Sequence, residues 1–247
     1  MDKFFVLFKR DFGNMVKSPV LLQFSTAFPV LLTLIMGFLC QGSYGAEVTS
    51  YDYYGITMLL FAVIGVSVSA ANSFMEKGIK ACNLRVIYSP IRVSYIYLSK
   101  IIATFLYTSV CFMVVMGVCK FLLGVNYGGK NSGYVVLLIL LLDLLSAALG
   151  VMFCCIFKSE EVSSQILSMA NNVFGILGGL FFQIDGLGKA AGTLSNISPV
   201  KWVLAGIMKI IYDGDLSLVA PISVIFLSLT AVLLLVCRLT FRTEDYV

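Results

Sequence analysis

Long apolar runs separated by short polar intervals organise this chain from end to end. Six runs approach or exceed the roughly 20 apolar residues that carry a helix across a bilayer: 19–40, 54–74, 101–123, 134–157, 162–183 and 216–237. The pattern predicts an all-α integral membrane protein with one transmembrane domain over residues 1–247. Little chain is left for a separate soluble unit.

The polar intervals predict further elements. "MDKFFVLFKRDFGNMVKSP" is too polar to span, but Phe5, Phe8, Phe12, Met15 and Val16 recur at helical spacing. Lys3, Arg10, Asn14 and Lys17 share the opposite face, so residues 1–18 are expected to form an interfacial amphipathic helix against lipid headgroups. Ser18-Pro19, Ser89-Pro90 and Ser198-Pro199 read as helix starts, because serine accepts first-turn N–H groups and proline suits the first helical position. The third pair opens "PVKWVLAGIMKII", whose apolar part between Lys201 and Lys209 is too short to cross. A short outer-leaflet helix before the sixth span is expected there. Between the second and third spans lies the longest charged interval, residues 75–100, with Glu76, Lys77, Lys80, Arg85, Arg92 and Lys100.

Composition agrees with the pattern and excludes a water-facing globule: 60% of residues are hydrophobic and 12% charged. The first run is too long for a signal peptide's core and no A-x-A-like site follows it. The seven cysteines suggest no disulfide framework: Cys111, Cys119, Cys154, Cys155 and Cys237 fall in or beside apolar runs, Cys82 lies in the charged interval, and only Cys40 is placed to face outward. Histidine is absent, which removes the commonest general base and metal ligand, and no metal site is expected.

Charge placement sets the expected topology. Lys3, Lys9, Arg10, Lys17, Lys77, Lys80, Arg85, Arg92, Lys100, Lys158, Arg238 and Arg242 fall on one side, against Lys120, Lys130, Lys189, Lys201 and Lys209 on the other. The positive-inside rule then puts both termini and the 75–100 interval in the cytoplasm. The first outer loop carries Glu47 and Asp52 and no basic residue, in agreement.

Most candidate chemistry fails on context. "GVNYGGKNS", Gly124 to Ser132, follows the phosphate-loop pattern except that Asn131 replaces the magnesium-binding hydroxyl. It joins two membrane helices on the outer side instead of following a buried strand, so it reads as a glycine-rich turn and the chain has no ATPase site. Asn196-Ile197-Ser198 fits a glycosylation sequon, a match too short to carry weight. Asp143 is the one carboxylate near the middle of a span. It suggests a proton or cation site, against the plainer reading of an acid hydrogen-bonded to a neighbouring helix. The fifth span carries Ser164, Ser168, Asn171, Gly175 and Gly178 on one face, widened by Gln165 and Asn172. Gly175 and Gly179 form a G-x-x-x-G pair that favours close packing, while the same stripe suits a polar cavity. Ser67, Ser69 and Asn72 on the second span offer a facing surface.

Taken in order, these features resemble the type-2 ABC exporter permeases: six spans, an N-terminal interfacial helix, Glu76, Lys77, Gly78, Leu84, Ser89, Pro90 and Lys100 after the second span, and Ser198, Pro199 and Trp202 before the sixth. Ile79 departs from the threonine common after that glycine. The resemblance covers essentially the whole chain. It implies a multi-pass protein of a bacterial cell membrane that pairs with a second permease, the same or related, and docks on two copies of a separate ABC ATP-binding subunit. ATP and Mg then belong to that partner, with no cofactor on this chain; membrane lipids, not nucleic acid, are its other surroundings. It further implies that a coupling helix from Glu76 to about Val86 meets the ATPase through Glu76, Lys77, Gly78, Ile79, Lys80, Leu84 and Arg85. The second and fifth spans would face the path, through Ser67, Ser69, Asn72, Ser164, Ser168, Asn171, Asn172 and Gly175. A drug, antimicrobial peptide or lipid-like substrate of amphipathic or hydrophobic character is the expected cargo. The competing expectations are a stand-alone proton- or ion-coupled carrier using Asp143, and a membrane scaffold or immunity factor without transport.

Overall fold

The computed structural model describes residues 3–43, 45, 48–75, 94–182, 192–193 and 195–241. The described residues are helical with short turns. α1 is Lys3–Val16 and α2 is Pro19–Leu39. α3 is Ser50–Met75, α4 is Ser94–Leu123, and α5 is Ser132–Phe157. α6 is Glu160–Leu177, α7 is Pro199–Met208, and α8 is Val219–Thr240.

α2, α3, α4, α5 and α8 are long and apolar enough to cross a membrane. α6, expected to span over 162–183, has 18 residues and falls short on apolarity because its serines, asparagines and glutamine dilute it. It nevertheless runs antiparallel to α3 from end to end. Ser164 bonds Asn72 near the end of α3, and past the other end of α6 the Gly179 carbonyl accepts from Tyr53 near the start of α3. α3 and α5 form the buried centre, whereas α2 and α8 turn Phe38, Leu39, Val224, Leu235 and Leu239 outward, as lipid-facing helices should.

Of three local readings one holds and two change. Ser18 does accept from the Leu21 N–H, and Pro19 follows it. Ser198 makes no such cap; its hydroxyl donates to the Phe174 carbonyl, fastening α7 to α6. The G-x-x-x-G pair is not a helix-packing face, since Gly179 lies beyond α6 at φ +75°, where the chain turns. The closest helix approach is instead at Gly150 of α5, where an added Cβ would meet the Ser67 carbonyl of α3.

α1 also differs from a helix lying only on headgroups. Met15 is buried against Ala103, Tyr107 and Cys111 of α4, with Phe8 and Phe12 beside it, while Phe5 and Val16 stay exposed. α1 runs parallel to α4: Phe4 meets Tyr95 edge-to-face, and Met15 accepts from Thr104. At 30 residues α4 is about 45 Å long, against a hydrocarbon core of about 30 Å, so one end of it has length to spare for this helix.

Candidate translocation site

The polar stripes of α3 and α6 meet. Ser164 donates to Asn72 Oδ1 at 2.8 Å, and Asn171 Nδ2 donates to Ser67 Oγ at 3.0 Å. Ser67 passes its own proton to the Ile64 carbonyl, and Ser168 bonds back to the Ser164 carbonyl. These bonds satisfy buried Ser67 and half-buried Asn72, Ser164 and Asn171, whose polar groups would be costly in hydrocarbon. Gly175 sits under Phe61, where a Cβ would lie 3.2 Å from the ring.

A cavity of about 430 Å³ opens beside this contact. Ser69 and Asn72 of α3 and Ser168, Asn171 and Asn172 of α6 form its polar wall. Phe24, Ser25 and Phe28 of α2 form the opposite wall, and Phe61 sits on its lining. Ser67 and Ser164 support the polar wall from behind. A second cavity of about 300 Å³ shares Val20, Leu21, Ser69 and Asn72 with the first and adds Asp11, Asn14, Lys100 and Glu160. The two cavities adjoin, with charged residues on the second and aromatic residues on the first.

Beyond Gly175 a third cavity, about 400 Å³, is lined by Tyr53, Gly178, Gly179, Lys201 and Tyr212. Phe61, on the lining of the first cavity, meets Phe181 edge-to-face with ring centroids 5.0 Å apart. Tyr53 donates to the Gly179 carbonyl at 2.6 Å and Tyr54 to the Phe181 carbonyl at 3.2 Å, which ties the start of α3 to the turn after α6. Burial, with a contribution from Asp52, pushes the Tyr212 phenol up to about 12, so it remains a neutral hydrogen-bonding group. α7 is tied down by each part of its "SPVKW" opening: Ser198 to Phe174, Lys201 Nζ to Ser195 at 2.5 Å, and Trp202 Nε1 to the Asn196 carbonyl at 3.0 Å.

Asp143 lies apart from all of this, fully buried between α4 and α5. Thr108 lies 2.9 and 3.0 Å from its two oxygens, and Ser109 donates to one of them at 3.0 Å. The Thr108 proton is shared with the Thr104 carbonyl. Asp143 lines none of the three cavities. The glycine-rich turn likewise binds its own protein: the Asn126 N–H donates to Asp52 Oδ1 at 2.7 Å, and Gly124, Gly128 and Gly129 supply the positive φ angles.

Glu76, Lys77, Gly78, Ile79, Lys80, Leu84 and Arg85 lie outside the described residues. Sequence reasoning missed Asp11, which accepts from Lys100 Nζ at 2.6 Å and Ser99 Oγ at 2.7 Å in a buried contact between α1 and α4. A signal was present: at helical spacing Asp11 falls on the stripe of Phe8, Phe12 and Met15, an acid on an apolar face. The α2 wall of the cavity was also missed, because Phe24 and Phe28 look like any lipid-facing residues in an apolar run.

Polar helices paired beside a cavity, in a bundle of membrane-length helices, define an α-helical membrane protein with a polar interior. The family model for ABC-2 type transporters matches residues 2–212, and the chain belongs to that family. It is a multi-pass ABC permease component. A search of curated proteins gives no match.

Proposed function

We propose that this chain is the permease subunit of an exporter driven by a separate ABC ATPase, and that its cargo is an amphipathic or hydrophobic molecule. The observation that carries this is the pair of adjoining cavities along α2, α3 and α6. One is lined by Asp11, Lys100 and Glu160, and the other by Phe24, Phe28 and Phe61. A molecule with a polar head and an apolar body fits both ends at once. Gln165, Ser168 and Asn172 are exposed along α6, and polar side chains facing lipid are costly. This supports pairing with a second permease across the path, with α6 as the sixth crossing. Positive charge placement supports cytoplasmic termini and a cytosolic ionic end, and the family points to a bacterial cell membrane setting.

Under this reading, the segment from Glu76 to about Val86 receives the ATPase, two copies of which serve the permease pair, and ATP and Mg reside on those subunits. The test is co-expression with an ABC ATP-binding subunit and reconstitution into vesicles. Co-purification and ATP-dependent movement of an amphipathic dye are expected. Dye movement by the permease alone, driven by a proton gradient, would instead establish a stand-alone carrier. The position of Asp143 outside the cavities favours the ATP-driven alternative.

A further inference from the structure

The cavity beside α7, about 400 Å³, differs in chemistry from the other two. It lies at the Tyr53 end of α3, the end opposite Asn72. A lysine and two tyrosines stand in its lining among apolar side chains, and no carboxylate lines it among the described residues. Its volume suits a small molecule, since such sites occupy roughly 300–1,000 Å³.

The polar side is held in place. Lys201 donates to Ser195 Oγ at 2.5 Å, and the fully buried Ser195 donates in turn to the Gly192 carbonyl at 2.9 Å. Ser198, also fully buried, fastens the start of α7 to the Phe174 carbonyl at 3.0 Å. The ammonium is thus kept at the cavity wall instead of swinging on its long stem. Tyr53 gives its proton to the Gly179 carbonyl, while Tyr212, in the turn that follows α7, supplies a phenol. Asp52 acts on Tyr212 but does not line the cavity, and its oxygens already accept from the Thr49 N–H and hydroxyl and from the Asn126 N–H. The apolar side is Leu177 at the end of α6 with Leu204 and Met208, four residues apart on one face of α7. A cation beside a phenol, facing a strip of aliphatic carbon, is complementary to an anion joined to a hydrocarbon.

We propose that this cavity binds an amphiphile with an anionic headgroup, a phosphate or carboxylate held by Lys201 and Tyr212 with its alkyl part along Leu177, Leu204 and Met208. As a statement about cargo it rests on the exporter reading and narrows it to molecules with a negative head. A membrane lipid of the same chemistry is the other source.

The probe is decyl phosphate, titrated onto the full chain in phosphatidylcholine nanodiscs. Trp202 is the chain's one tryptophan, adjoins Lys201 and donates to the Asn196 carbonyl, so its emission reports this part of the fold alone. Decyl phosphate should give a saturable change in emission and a matching rise in thermal stability. Inorganic phosphate should bind far more weakly, and decyltrimethylammonium should give neither response. Lys201→Gln should weaken decyl phosphate binding about tenfold, the scale of one charge-assisted hydrogen bond, and Lys201→Arg should retain most of it. Tyr212→Phe, at an exposed position, should weaken binding about threefold and serves where Lys201→Gln does not fold. No response to decyl phosphate, equal affinity in the wild type and the variants, or an equal response to decyltrimethylammonium would overturn the site. Nanodiscs doped with phosphatidylglycerol separate the two sources: competition assigns the site to lipid and its absence to cargo, and both uphold an anionic site. Binding needs no ATPase, so its loss strikes this site alone. Binding without ATP-driven movement of a fluorescent alkyl phosphate by the permease–ATPase complex counts against the exporter reading instead.

Discussion

Gly150 is the position where the helix packing can be tested most sharply. An alanine Cβ there would press on the Ser67 carbonyl and lie 2.8 Å from the Ala70 Cβ, against an optimum of about 3.5–4.0 Å for carbon pairs. Backbone cannot rotate aside as a flexible side chain would, so α3 and α5 must part by about 1 Å. Overpacking of this kind costs about 1–3 kcal/mol, and the backbone contact argues for the upper end. Alanine's better helix propensity returns up to about 1 kcal/mol, leaving a net loss of about 2 kcal/mol. Gly117 on α4 is the matched control, because nothing lies within 4 Å of its added Cβ. Thermal unfolding of the purified protein in one detergent or nanodisc should show Gly150→Ala clearly destabilised and Gly117→Ala unchanged or slightly stabilised. Equal stability of the two variants would refute the argument. Ser67 also holds Asn171, so the displaced α3 should weaken transport in the same variant.

Other sites separate function from folding. Gly65 faces the 430 Å³ cavity with open space around it, so Gly65→Leu should fill the path and stop dye transport without lowering thermal stability. Asp143→Asn should keep both transport and assembly, because a carboxamide oxygen still accepts from Thr108 and Ser109. Asp143→Leu should cost about 1 kcal/mol of stability, since Thr108 already has the Thr104 carbonyl and chiefly Ser109 loses a partner. Loss of transport in Asp143→Asn with assembly intact would revive a proton role. Leu84→Asp and Glu76→Arg should each uncouple hydrolysis from transport without unfolding the spans; normal, dye-stimulated hydrolysis in both would remove the coupling helix from this segment.

The elements legible in the sequence are those that a single periodicity encodes. α3, α4, α5 and α8 follow from apolar length alone, and the α6 stripe follows from the spacing of Ser164, Ser168 and Asn171. The meeting of that stripe with Ser67 and Asn72 was suggested by shared polarity and is realised in two side-chain bonds. What escaped depends on pairings distant in sequence. Asp11 and Lys100 are 89 residues apart, and neither carries a motif that names the other. Gly150 looked like an ordinary small residue because its partner is a backbone carbonyl 83 residues earlier, which has no side-chain signature. Gly179 misled for a related reason: spacing cannot tell a glycine inside a helix from one that ends it.

The early end of α6 has a consequence for the whole path. Had the helix continued to residue 183, the outer end would be closed by helix packing over several turns. Instead residues 179–182 are non-helical, and the contact beside Gly175 rests on one aromatic pair and two tyrosine–carbonyl bonds. Each such hydrogen bond contributes about 0.5–1.5 kcal/mol net and the ring pair about 0.5–1.5 kcal/mol, giving about 1.5–4.5 kcal/mol together. That is the size of the gap between interconverting states of one protein. The inner end, by contrast, is fixed by a buried ion pair, a serine bond to it, and two further side-chain bonds between α3 and α6. The weaker of the two contacts is therefore the one where Phe61 and Phe181 meet.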